Sequence, residues 1–210
     1  AGVECIDALL GTLGKSIYSC PCTSTGIIRE EVRNRAKKNH GHDWFLRLAP
    51  SYELYCKMVR LYHGGYTHAN RYFIDDLLGG TDPDEWIRGF DFSSSYPFCL
   101  LSQKYPCTAF TKYSKDVTPE FILEHSEMFA FIFTISFVNI RLKDDLEPMP
   151  ALQTSKCTHT INLCTDNGRV TSAGFCTLEM CEQDLITIDQ LYTWDVAECS
   201  DVWAAGKDYL

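Results

Sequence analysis

Residues 128–140, MFAFIFTISFVNI, form the longest apolar run in the chain and limit what it can fold into. The run is shorter than the roughly 18 apolar residues a membrane span needs, and Thr134, Ser136 and Asn139 interrupt it. Its aromatic and β-branched residues read as a strand on a pleated, half-buried surface. The surrounding segments mix both periods. Helical patterns are expected over 3–15, over 26–38 behind the cap residues Thr23-Ser24-Thr25-Gly26, and over 51–60, opened by Pro50-Ser51. Gly64-Gly65 breaks the pattern, 66–73 has an extended, aromatic character, and Gly79-Gly80-Thr81-Asp82-Pro83 is a turn cluster. A short strand is expected to enter Asp91, followed by a helix over 94–103. A helix over 118–126 has Pro119 in its first turn. Strands follow over 129–142, 157–164 and 170–180, then a helix over 182–191 and a last strand over 194–199. There is no internal repeat or low-complexity tract. The fold class expected is α+β.

The 210 residues allow one domain or two small ones. There is no basic-then-apolar leader pattern at the start. The chain lacks an initial methionine and enters directly into a helical pattern, so it reads as a piece of a longer protein. Eleven cysteines, an odd number scattered from Cys5 to Cys199, argue against a closed disulfide framework and for a reducing compartment. Cys20-Pro21-Cys22 and Cys176-x₄-Cys181 fit a zinc site poorly, so the cysteines are expected mostly as small core hydrophobes. Charge is uneven. Residues 1–73 carry ten Lys/Arg against six Asp/Glu, and 74–210 carry nine against twenty-two. A net acidic chain is a poor bulk nucleic-acid binder, but a local basic strip can grip phosphates. That strip would contain Arg29, Arg33, Arg35, Lys37, Lys38, Arg47, Lys57, Arg60 and Arg71; the same charges also read as a solvated helix face.

The stretch GFDFSSSYPF, 89–98, places a carboxylate and four hydroxyls beside short apolar runs. An aspartate followed by serines suits a strand-to-helix transition, because serines cap helices and expose amides. Asp91 taken alone is a capping residue. Upstream stands Tyr62-His63-Gly64-Gly65-Tyr66-Thr67, with Asn70 and Phe73 beyond it, and Tyr62 precedes Asp91 by 29 positions. Two adjacent glycines let backbone approach a ligand closely, and flanking aromatics can stack on bases and sugars; an ordinary tight turn with core aromatics has the same composition. Histidines 40, 42, 63 and 68 show no metal-ligand spacing, and Asp144-Asp145 reads as a solvated turn.

In this order and spacing, Y-x-G-G followed by Asp91-Phe92-Ser93-Ser94-Ser95-Tyr96-Pro97 resembles family B DNA polymerases of the protein-primed branch found in small phages and linear plasmids. Pro21-x-Thr23-Ser24-Thr25-Gly26-x-x-Arg29 also resembles a segment of these enzymes, and 179–203 is similar to the end of their first terminal-protein-binding insertion. The resemblance implies a partial polymerase palm over 1–110 and an inserted mixed helix/strand subdomain over 111–210. It implies Asp91 as a catalytic metal ligand and the Phe92 carbonyl as a second oxygen donor for Mg2+ or Mn2+. Ser94 and Ser95 would lie against the incoming dNTP, with Tyr96 as the sugar-discriminating gate. Tyr62, Gly64, Gly65, Tyr66, Asn70, Arg29 and Arg60 would contact template-primer DNA. A terminal protein primer would be a further partner of a monomer working in the cytoplasm of a host cell, with no membrane contact. Ser95 departs from the leucine frequent at that position in the family.

The chemistry agrees with these residue types. Phosphoryl transfer by two metal ions needs bridging carboxylates, and amides of a serine-rich turn can cradle phosphate oxygens. The family's later lysine/asparagine/tyrosine-glycine helix and D-T-D strand are absent from this sequence, as are its exonuclease carboxylates. The chain alone is therefore expected to be inactive, with Asp91 facing solvent or accepting amides from the serine turn. Two other classes stay open: a non-catalytic module whose acidic 74–210 binds a basic protein partner, and an unrelated phosphate-binding or hydrolytic domain built on Asp91 and the serines.

Overall fold

The computed structural model describes residues 24–67, 69, 73, 75–80, 84, 87–143 and 150–209, together with 8, 11, 12 and 14. Of the helix expected over 3–15 only 8, 11, 12 and 14 are described, the first three of them helical, while the Asp144-Asp145 turn, His68, Asn70 and Arg71 lie outside the described residues. By contacts the chain divides into Ala1–Ala49 and Pro50–Leu210. This is a division by packing, whereas the 1–110/111–210 partition follows the family resemblance.

In the first unit, α1 (Ser24–Lys38) ends on Arg35, Lys37 and Lys38, where cations oppose the negative helix end. Arg35 also bonds Glu31 one turn back at 2.8 Å. Asn39 and His40 reverse the chain, His40 entering the left-handed region at φ 57°. This starts α2 (Gly41–Leu48), a helix that the sequence reading did not anticipate.

The second unit is built on an eight-stranded antiparallel sheet. Its strands are β1 (Lys104–Pro106), β2 (Thr111–Lys112), β3 (Phe129–Leu142), β4 (Cys157–Ile161), β5 (Cys164–Asp166), β6 (Arg169–Cys181), β7 (Tyr192–Thr193) and β8 (Val196–Tyr209). The main order is β1-β8-β3-β6-β4, with β2 beside β8, β5 beside β6 and β7 beside β3. Asn167 and Gly168 both have positive φ, 47° and 73°, so a two-residue turn of the primed type joins β5 to β6.

β3 is hydrogen-bonded on both edges, and its side chains alternate between two covered faces. Phe131, Phe133, Ile135 and Phe137 enter the main core with Cys176, Leu178 and Met180 of β6. Asn139, at φ 54°, shifts the alternation by one, so Ile140 rejoins that core. Two helices cover this face: α5 (Pro119–His125) through Ile122 and α6 (Glu182–Leu191) through Leu185 and Ile188. The start of α5 follows its sequence: the Phe121 amide donates to Thr118 Oγ1 at 3.3 Å, and Pro119 occupies the first turn. At the start of α6 the Cys181 amide donates to Asp184 Oδ2 at 3.1 Å. Because β6 and β8 both run against β3, α6 connects two parallel strands with an antiparallel one between them.

A buried ion pair closes the same face. Lys207 Nζ lies 2.7 Å from Glu182 Oε1, both side chains nearly inaccessible. The lysine also donates to the Ser126 carbonyl at 2.7 Å, and Glu182 Oε2 accepts the Phe131 amide at 2.8 Å.

The opposite face is crossed by α3 (Tyr52–Leu61), capped by Ser51 Oγ accepting the Leu54 amide at 3.2 Å. Lys57 does not lie on a solvated strip as its charge suggested. It is 2% exposed, and its ammonium donates to Thr134 Oγ1 at 3.0 Å, the Asp201 carbonyl at 2.9 Å and Asp201 Oδ2 at 2.7 Å. The geometry recruits it: Asp201, at φ 46°, interrupts the β8 register and turns a carbonyl and a carboxylate toward the helix. Burial pushes the Asp201 carboxyl up, but Lys57 and Lys112 together outweigh that and hold it below its ordinary value.

Other expectations also changed. No strand enters Asp91, since 87–92 have no regular structure. The last strand runs from Val196 to Tyr209 instead of ending at Cys199 because β3, β1 and β2 all pair with its second half. The 157–164 segment splits into β4 and the start of β5. Among the described cysteines Cys176 is buried, while Cys99 and Cys164 are exposed. No helix among the described residues is long and apolar enough to cross a membrane.

Two measurements test this packing. Glu182→Gln strands the Lys207 ammonium in the core and is expected to cost about 3–5 kcal/mol by denaturant unfolding, whereas Glu182→Met with Lys207→Met recovers most of it. A cost no larger in the single variant than in the double would contradict the buried pair. Burial also pushes the Cys181 and Cys199 thiols up from 9.0 to about 12 and the Tyr192 hydroxyl from 10.0 to about 12. The folded chain then keeps protons that the unfolded chain loses, so stability is complete below about pH 9 and falls as pH rises toward 12. Cys199→Ala should flatten that alkaline decline; an unchanged or rising denaturation midpoint would count against it.

Candidate functional site

Two stretches carry the residues singled out in the sequence: the turn at 91–97 and the segment 62–69. The first is open. Asp91 Oδ1 accepts the amide of Phe92 at 2.8 Å, so the bond goes to the adjacent residue and not to one of the serines. Ser94 takes a left-handed conformation, φ 55°, and leads into α4 (Ser95–Ser102) without capping it through its side chain. Its carbonyl instead accepts the Phe98 amide at 3.0 Å. Phe92 and Tyr96 are 85% and 86% exposed. The remaining apolar side chains of this region, Phe90, Phe98, Leu100 and Leu101, are exposed as well. Among the described residues no three His, Cys, Asp or Glu side chains gather to hold a metal ion. Asp91 offers one carboxylate, which is an incomplete donor set for a two-metal site.

The second stretch continues from α3 and lies along the sheet unit. Tyr62 caps α3 with its amide on the Met58 carbonyl at 3.1 Å, its ring exposed. His63 Nε2 meets Asp184 Oδ1 at 2.9 Å, tying the segment to the first turn of α6. This histidine, set aside in the sequence as incidental, is therefore a structural tether. Gly64 and Gly65 have no positive φ, and a Cβ at either would meet nothing within 4 Å. The local fold places no demand for glycine at these two positions. The Tyr66 ring lies under the Arg169 guanidinium at 4.7 Å, and burial raises the Tyr66 hydroxyl pKa. Arg169 donates to the carbonyls of Ala151 at 2.8 Å and Thr67 at 3.4 Å, and Asn167 Nδ2 donates to the Ala69 carbonyl at 3.1 Å. The hairpin turn that positions Asn167 and Arg169 carries an Asn-Gly signal that the sequence reading did not use, and its contact with 66–69 spans about a hundred residues and has no local signal.

The basic residues singled out in the sequence fall in both units and differ in their surroundings. Arg29 lies on α1 in the first unit. Arg60 projects from α3 and is held by Glu179 in a two-pronged pair, 2.8 Å from Nε and 2.7 Å from NH2. Lys57 is the buried cation of α3. Asn70 lies outside the described residues.

Comparison with protein-family models, curated proteins and solved structures finds no match to this chain.

The His63 tether predicts a local effect. His63→Ala removes one hydrogen bond to a charged partner without touching the α6 cap. Amide exchange across 62–67 should rise about fivefold, the equivalent of roughly 1 kcal/mol. Equal exchange in both proteins would mean that Arg169 and Asn167 alone hold the segment.

Proposed function

We propose that the chain is part of a DNA-directed DNA polymerase of the protein-primed family B type and carries one half of its nucleotide site. The observation that supports this most is the openness of the D-x-x-S-x-Y-P turn. Asp91, Phe92 and Tyr96 stand uncovered at the start of α4, where a triphosphate, a sugar and a second carboxylate would have room to approach. In this reading Asp91 and the Phe92 carbonyl provide oxygen donors, the Ser94 and Ser95 turn offers amides to phosphate, and Tyr96 lies beneath the sugar. Two divalent cations, when bound, would polarise the phosphates and hold attacking and leaving oxygens in line. Asp91 is one of the carboxylates such a pair requires.

The Y-x-G-G segment takes the template role. Gly64 and Gly65 lack a side chain where the fold has space for one, which suits close approach of a backbone or base, and Tyr62 offers an exposed ring. Arg29, on α1, supplies a phosphate contact; Arg60 is already engaged by Glu179. The sheet-rich 111–210 part takes the insertion role toward a terminal protein.

The test is a manganese titration read by paramagnetic broadening, with primer extension alongside it. Broadening centred on 92–96, with an apparent dissociation constant no tighter than about 1 mM and lost in Asp91→Asn, is expected for one carboxylate without its partner or substrate phosphates. Extension should remain at the blank level. Micromolar binding centred on cysteines or histidines, or broadening indifferent to Asp91→Asn, would overturn the reading.

A further inference from the structure

Between the 62–67 segment, β6 and α6 lies a pocket of about 210 Å³, partly open to solvent. Its charges are unevenly matched. Two carboxylates line it, and both are already paired: Glu179 with Arg60 and Asp184 with His63. Two cations line it as well. The ammonium of Lys156 donates to the Arg60 carbonyl at 2.8 Å, and Arg169, 7% exposed, reaches two main-chain carbonyls and the Tyr66 ring. Neither is in an ion pair among the described residues. A guanidinium carries five N–H donors, and one of the two hydrogen bonds it makes is long at 3.4 Å. A buried cation matched only by neutral carbonyls and a ring face is costly, and an anion relieves that cost.

Much of the remaining wall is apolar, formed by the buried side chains of Leu152, Leu178, Met180 and Ile188, with Gln153 and Thr187 also lining the pocket. A dry cavity of about 150 Å³ is enough for benzene, so this one has room for a single ring bearing a small polar group. We propose that the cavity is a binding site for a small organic carboxylate, its carboxylate on the Arg169 guanidinium and its apolar body on Leu178 and Met180. The planar fork of arginine matches a carboxylate in two parallel hydrogen bonds, as it also matches a phosphate. The apolar wall makes the choice between them: it receives the body of an organic carboxylate, whereas inorganic phosphate would be desolvated against it without return. This inference goes beyond the polymerase reading and does not rest on it, since Asp91 and its turn take no part.

The experiment follows amide and methyl shifts during titration of the whole chain with benzoate, benzamide and inorganic phosphate. Benzoate should saturate with a dissociation constant on the order of 1 mM, given its few heavy atoms. Its shifts should centre on Leu178, Met180 and Arg169. Benzamide, equal in shape but uncharged, should bind about tenfold more weakly, as one lost charge-assisted contact predicts. Phosphate should leave the apolar methyl groups unmoved. Arg169 is buried and its replacement can disturb folding, so Thr187→Trp, at an exposed position on the rim, provides the blocking variant. In a Thr187→Trp protein with an unchanged melting temperature, benzoate shifts should vanish, while Asp91→Asn should retain them in full. Absence of saturable benzoate shifts, equal binding of benzamide, or shifts that survive Thr187→Trp would each overturn the site.

Discussion

A strand bonded along both edges has to satisfy two neighbours and two covered faces at once, and β3 is under that constraint from Phe129 to Leu142. Its register with β6 and β8 decides which residues meet α5 and α6 and which meet α3. A slip of one residue would move Phe131, Phe133, Ile135 and Phe137 out of the main core together. The two left-handed residues, Asn139 on β3 and Asp201 on β8, are therefore consequential. One restores Ile140 to the core, and the other supplies the acceptors that capture Lys57.

That capture links the sheet to the proposed template segment. Lys57 fixes α3 on the face formed by Thr134 and Asp201, and α3 ends at Tyr62, where the Y-x-G-G stretch begins. Arg60, one turn from that end, bonds Glu179 on β6, and Lys156 closes on the carbonyl of Arg60. The segment thus leaves the helix at a set position and is caught again by Asp184 and Arg169 from the other side of the sheet unit. Both of these anchors, Asp184 on His63 and Arg169 on Thr67, join residues more than a hundred positions apart in sequence.

How much of this was legible in the sequence follows the range of the forces involved. The limits of β3 and α6 could be read directly, and those of α5 to within a residue. Alternation marks β3, and the Thr118-Pro119 start marks α5 by forces acting within one turn. The second half of β8 was missed because Gly206, Lys207 and Asp208 have poor strand propensity, and pairing with β3 and β1 overrides it. The strand expected before Asp91 failed for the converse reason: its apolar residues have composition but, among the described residues, no neighbouring strand. Lys57 looked like a surface cation because its burial depends on a carbonyl turned by Asp201, far along the chain. At the candidate site the sequence singled out Asp91 and its turn, but not that Asp91 would take the amide of Phe92 or that His63 and Arg169 would anchor the glycine segment.

The contrast between the two stretches bears on how either could bind a ligand. The 62–67 segment is held by charged hydrogen bonds to a well-packed sheet. By contrast α4 is eight residues long with none buried, too short for helix propensity alone to maintain it in water. A short uncovered helix samples unfolded conformations at little cost. Any cation or phosphate that engages Asp91, Ser94 and Ser95 together must select the conformations in which α4 and its left-handed Ser94 are formed. Its apparent affinity is then lowered by the fraction of time the turn is ordered. Covering Phe98, Leu100 and Leu101 would raise that fraction without adding a single contact to the ligand, so the nucleotide chemistry proposed for the turn depends on apolar burial on the same helix.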